Sequence, residues 1–172
     1  MFKSNLSNSR VKLMAKSLTV VMAALLLAMP TIGGPVVAVV AAVSSNFVFI
    51  IRERQHFGDE PGAHPGFFRG EDFSFPPFDA PGINPNRPAV LMLEARGVQN
   101  SNVFRINGVT ISRALQPHPE ANEAQTFTEI ANVPPGVLKA QGNVLRVIAV
   151  KDAFGNLDDF VIENVVLHYN EQ

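Results

Sequence analysis

The turn D-A-F-G-N-L-D-D at 152–159 holds the densest set of chemically useful side chains in the sequence. Asp152, Asn156, Asp158 and Asp159 offer the kind of oxygen donors that calcium takes from a flexible loop, so a structural calcium is the one cofactor the chain suggests. Their spacing departs from the EF-hand loop, and Asp and Asn are also the commonest turn formers. Asp158 and Asp159 are adjacent; in a strand they point to opposite faces, and one ion could use both only if the backbone bulged.

Other chemistry is sparse. His56, His64, His118 and His168 lack the short spacings of zinc sites, and with no cysteine to support them they read as scattered surface histidines. No nucleophile elbow, H-E-x-x-H helix or phosphate-binding glycine loop occurs, so no catalytic residue is assigned and the chain reads as a non-enzyme. Glu53, Glu94 and Glu163 fall on expected strands, where they are explained as outward-facing residues. Phe67, Phe68, Phe75 and Phe78 lie in the one loop long enough to shape a pocket, which makes them the candidate ligand-binding rings and equally a candidate core plug. Sugar faces favour Trp and Tyr, yet the chain has no Trp and one Tyr.

Charge and hydropathy divide the chain in two. Lys3, Arg10, Lys12 and Lys16 are the only ionisable side chains before Arg52, and the remaining ten basic residues stand against 15 acidic ones. The basic residues after that point do not cluster, which excludes nucleic acid as a partner. Leu18 to Val43 is free of charge, and Leu18 to Met29 is an unbroken apolar run behind a basic leader. Small residues at Ala38, Ala41 and Ala42 complete the layout of a secretory signal, with Met1 or Met14 as its start. A membrane anchor is the alternative, since a helix over Leu18–Val43 would span about 39 Å, although Pro30, Gly33, Gly34 and Pro35 interrupt it. Residues 1–43 are therefore expected to be a signal peptide or an N-terminal helical anchor and 44–172 a single domain. Its location would be secreted, periplasmic, on the cell surface or membrane-anchored, touching the membrane only through the leader.

Beyond the leader the period is that of strands. Expected strands cover Asn46–Glu53, Val90–Glu94 with Leu91, Leu93 and Ala95 on one face, Phe104–Ile111 folded at Asn107-Gly108, Gln125–Val133, Asn143–Val150 and Phe160–Tyr169. The Gly-, Pro- and Phe-rich stretch from His56 to Pro88 has no period and is expected to be a long loop; Leu115–Ala124 reads as a polar loop. Val144, Ile148 and Val150 oppose Leu145 and Val147, and Val161, Val165 and Leu167 oppose Phe160, Ile162 and Val166, so two strands are apolar on both faces. Either the Phe-rich flap covers their outer face or a protein partner does.

Two motifs carry a resemblance. Phe104, Ile106, Asn107 and Gly108 form a strand ending in Asn-Gly, and Leu138, Lys139, Gly142, Asn143, Leu145 and Val147 form an L-K-x-x-G-N-x-L-x-V lead-in to a strand. In these the chain resembles the galactose-binding-like jelly-roll β-sandwich, used as a non-catalytic sugar-binding domain in bacterial secreted proteins. The resemblance implies an all-β antiparallel sandwich of about eight strands and a binding module for carbohydrate; the alternative is a structural or assembly protein of the cell surface acting through strand-face or strand-edge contacts. The partner is accordingly a glycan or a surface protein.

Overall fold

The computed structural model describes residues 44–112, 114–118 and 125–172. Segment 1–43, read above as signal or anchor, lies outside the described residues. The described residues form ten strands and no helix: β1 (Ser45–Ile51), β2 (Gln55–Phe57), β3 (Phe67–Gly70), β4 (Asp72–Ser74), β5 (Ala89–Arg96), β6 (Val103–Ile106), β7 (Val109–Thr110), β8 (Phe127–Val133), β9 (Leu145–Ile148) and β10 (Phe160–Asn170). The larger sheet runs β3-β2-β10-β5-β8 with β1 also on β10, and the smaller runs β4-β9-β6-β7. All pairings are antiparallel except β2 with β3. The architecture is all-β and sandwich-like, with both sheets contributing to one core.

Alternation builds that core. On β5, Ala89, Leu91, Leu93 and Ala95 are buried while Val90, Met92, Glu94 and Arg96 are half-buried on the other face, as period 2 requires. Phe57 stacks on Phe160 at 5.2 Å between centroids, and Phe104, Ile106 and Leu145 are buried on the smaller sheet. Each such ring or aliphatic group contributes about 1.5–3 kcal/mol by leaving water.

β10 explains why its sequence is apolar on both faces. Phe160 and Ile162 point inward; then Asn164 takes φ 52°, the register with β5 shifts between Glu163 and Val166, and the inward set becomes Val165, Leu167 and Tyr169. The bulge moves the pattern by one residue, so part of the double apolarity is a single inward face that changes phase.

The two resemblance motifs meet in space. Asn107 (φ 52°) and Gly108 (φ 83°) make the β6–β7 hairpin turn, where left-handed backbone at both positions calls for this residue pair. Fully buried Asn143 receives hydrogen bonds on Oδ1 from the Lys139 N–H (2.9 Å) and Asn107 Nδ2 (2.9 Å), and its own Nδ2 donates to the carbonyls of Lys139 (2.7 Å) and Phe78 (3.3 Å). Asn107 Oδ1 accepts from the Val144 N–H at 3.0 Å. The two asparagines lock the β6–β7 turn to the lead-in of β9.

The stretch from His56 to Pro88 is not the strandless loop its composition suggests. It supplies β3 and β4, and β2 includes its first residues; β4 pairs Asp72, Phe73 and Ser74 with Ile148, Val147 and Arg146 of β9. Leu115, expected in a polar loop, is fully buried.

Candidate functional site

The four candidate rings are split. Phe75 and Phe78 are buried in the core, Phe75 packing 6.3 Å from Phe57 between centroids, whereas Phe67 and Phe68 on β3 are exposed. Phe67 and Phe68 are consecutive in a strand, so their side chains leave opposite faces and share no platform. Phe68 stands edge-on to His56 at 5.3 Å.

The donors of the 152–159 turn also separate. Asp152 Oδ1 accepts from the N–H groups of Phe154 (2.7 Å) and Asn156 (3.0 Å), and Asn156 Nδ2 reaches back to Asp152 Oδ2 at 3.4 Å, which closes the turn on itself. Asp158 is buried: its carboxylate accepts from the N–H groups of Gln99 and Asn100 and from Asn102 Nδ2 at 2.5 Å, clamping the loop between β5 and β6. Burial pushes its pKa up, against the lowering effect of those hydrogen bonds. Asp159 turns to His56, whose Nε2 lies 3.0 Å from Asp159 Oδ1. Among the described residues no three His, Asp or Glu side chains converge as a metal site.

His56 is fully buried, which corrects its reading as a surface histidine. It pairs in register with Val161 of β10, itself 1% exposed, on the face of the sheet turned away from the core. The His64 ring lies 5.3 Å from it, with His64 Nε2 3.1 Å from the Asp159 carbonyl. Two glycines make this approach feasible: a Cβ on Gly58 would sit 2.0 Å from Asp159 Oδ1, and one on Gly97 would sit 3.0 Å from His64 Nε2. His56 Nδ1 is buried without a partner. The segment between β2 and β3 thus covers this corner of the outer face.

Among the described residues, no segment covers the rest of that face. Ladder registers align Phe49 with Val166, Val166 with Met92, and Met92 with Ile130, one apolar row running across β1, β10, β5 and β8. A second row follows through Phe47, His168, Val90 and Asn132. Phe47 is 44% exposed, Phe49 37% and Ile130 60%. Four strands about 4.8 Å apart make each row roughly 14 Å from the first strand to the last. A sheet face bathed by solvent carries polar residues at such positions, and a contiguous apolar patch on a protein surface marks an interaction site. The Phe47 and Phe49 rings are edge to face at 83°, and Arg52 lies 3.8 Å over Phe49.

No protein-family model matches this chain, and no curated protein matches its sequence.

The apolar row is followed by a charged one. Glu163 and Glu94 oppose each other directly in the β10–β5 ladder, neighbours that nothing local in the sequence announces. Arg54 donates to Glu163 at 2.8 Å and Asn164 Nδ2 to Glu94 at 2.9 Å, so each carboxylate of this like-charged pair has its own donor. Glu53 is exposed in the link from β1 to β2.

Proposed function

We propose that the chain is a non-catalytic extracytoplasmic binding module of jelly-roll, galactose-binding-like type whose contacts are made with protein through the outer face of the larger sheet. Strand order supports the topology. The larger sheet joins the first strands (β1 and β2) to the last (β10), then to β5 and β8, and the smaller joins β4, β9, β6 and β7. Each sheet thereby pairs strands from the two halves of the chain, the pattern made when one long hairpin rolls up into two packed Greek keys.

The observation that carries the function is the in-register row Phe49–Val166–Met92–Ile130. It offers a protein partner apolar area and offers a sugar neither coplanar rings nor a line of hydrogen-bonding groups. The secretory-type leader supports the location.

The test is retention of the full chain on immobilised polysaccharides alongside its mass in solution. Wild type is compared with a Phe49→Glu/Ile130→Glu variant and with a Phe67→Ala/Phe68→Ala variant. The expected result is a mass above monomer that the Glu variant alone lowers. Glycan retention abolished by the Phe67/Phe68 variant would overturn the protein reading in favour of a sugar-binding module.

A further inference from the structure

We propose that β1 is a docking edge for a second copy of this chain: two β1 strands pair antiparallel about a twofold axis at Val48, joining two large sheets into one. The inference rests on the protein-contact reading above and names the partner and the register.

β1 bonds β10 along one side, and among the described residues no strand lies on the other. The Glu171 N–H donates to the Ser44 carbonyl at 2.9 Å, so the even-numbered residues of this segment direct their backbone groups toward β10. By the alternation of antiparallel ladders, Ser45, Phe47 and Phe49 then point N–H and C=O away from it. Phe47 shows this directly, since its N–H bonds the side-chain Oδ1 of Asn46 at 2.8 Å.

The edge is also unguarded. Natural sheets blunt their edges with charge, proline or shortness. β8 carries Glu129 and runs into Pro134-Pro135, β3 follows Pro65-Gly66 and carries Arg69, β4 carries Asp72 paired with Arg146, and β7 has two residues. β1 has seven residues, S-N-F-V-F-I-I, with neither charge nor proline.

A second copy fits this edge because the strand is self-complementary about Val48. In that register Phe47 of each copy faces Phe49 of the other, and both positions belong to the set whose backbone groups point away from β10, the Phe47 N–H exchanging its local Asn46 Oδ1 acceptor for the second strand. Each of the two pairs exchanges two backbone bonds, roughly four in all. The phenyl rings fall on the same outer face, so the Phe49–Val166–Met92–Ile130 row of each copy runs on into the Phe47–His168–Val90–Asn132 row of the other, one line across eight strands that His168 and Asn132 alone interrupt. Charge agrees as well. The antiparallel pairing brings the Arg52 end of each strand to the Ser44 end of the other, where Ser44 Oγ (2.6 Å) and Asn46 Nδ2 (2.9 Å) hold the Glu171 carboxylate.

Val48 would face Val48 of the second copy as a pair without mutual backbone bonds, with Cα atoms about 4.5 Å apart, inside the range a disulfide spans. The chain has no cysteine, so single-cysteine variants of the full chain report contacts free of background. In mild detergent, which occupies the apolar 18–43 segment, gentle oxidation is expected to convert Val48→Cys to a reducible dimer. Ile130→Cys, on the outer face at the opposite edge, is expected to stay monomeric on the gel. Because Val48 is half-buried, Phe47→Lys/Phe49→Lys gives an independent reading at exposed positions: it sets like charges opposite one another and should raise the dimer dissociation constant more than about tenfold. Cross-linking at Ile130 in place of Val48 would overturn edge pairing while leaving the outer-face reading standing. Monomeric wild type, with neither cysteine cross-linking, would overturn self-pairing outright, and protection of the outer-face Met92 from oxidation in cells would then decide the broader reading separately.

Discussion

Replacing Asn143 by Ala should be among the most damaging single changes available outside the aromatic core. The side chain is fully buried and makes four hydrogen bonds, two accepted and two donated. Its removal strands the Lys139 N–H and one Asn107 Nδ2 hydrogen against a fully buried position, and takes a donor from each of the Lys139 and Phe78 carbonyls. An orphaned buried group costs about 1–3 kcal/mol, and Asn107 keeps a second acceptor in the Val137 carbonyl at 2.8 Å, so its share is at the low end. The sum is about 4 kcal/mol. For a domain of this size that corresponds to a fall in melting temperature on the order of 10 °C. Urea unfolding of the full chain, followed by tyrosine fluorescence and circular dichroism, should show the midpoint falling with the slope unchanged. Asn156→Ala removes only a 3.4 Å exposed contact and should stay within about 0.5 kcal/mol of wild type. A loss below about 1 kcal/mol for Asn143→Ala would refute the claim that the two asparagines lock the β6–β7 turn to β9.

The aromatic segment should divide in the same assay: Phe75→Ala is expected to cost about 3–5 kcal/mol and Phe67→Ala, an exposed ring, less than about 1. Acid titration of stability should separate two carboxylates. Glu171 has its pKa lowered by hydrogen bonds from Ser44 and then Asn46, so it contributes stability above its unfolded value that is lost as pH falls through the folded one; Glu171→Gln should flatten the acid limb of the stability curve. Asp158, raised first by burial, has the opposite sign: its contribution is complete below the unfolded value and lost as pH rises through the folded one. Asp158→Asn should remove that decline, as read from midpoints between pH 3 and neutrality, where roughly all carboxylate titration falls.

Much of the scaffold was legible because it is local. The alternation of Ala89–Arg96 assigned its own faces, and Asn107-Gly108 specified a left-handed turn by residue type alone. β2, β3 and β4 escaped notice because three- and four-residue strands between glycines and prolines are too short for a period to show; β2 and β4 find partners in β10 and β9, more than 70 residues on, and β3 joins the sheet only through β2. The bulge at Asn164 disguised one inward face as two. His56 carried no local sign of burial, since what covers it comes from the separate segment that holds His64 and Phe68.

The apolar row was half legible. Val166 lies on a strand that reads as apolar on both faces, which asks what covers the outer one, whereas Phe47 and Phe49, on the opposite face of β1 from Val48 and Ile50, carried the same sign without being read for it. That Val166, Met92 and Ile130 extend the row depends on registers between residues 38 to 117 positions apart, which one sequence does not encode locally. The candidate calcium donors failed to converge for a related reason: Asp158 and Asp159 left the turn in different directions, one to the loop after β5 and one to His56.

Met92 sits in the middle of the apolar row and is the only methionine after residue 29, which makes it a built-in reporter. The most direct test of the outer face as a contact surface is oxidation of Met92 by hydroxyl radicals, followed by mass spectrometry, in cells that make the protein and again after purification and dilution. Protection in the cells and reactivity after dilution, with the solitary, 90% exposed Phe154 labelled equally in both, is the expected result. Equal labelling of Met92 in both settings would contradict the account.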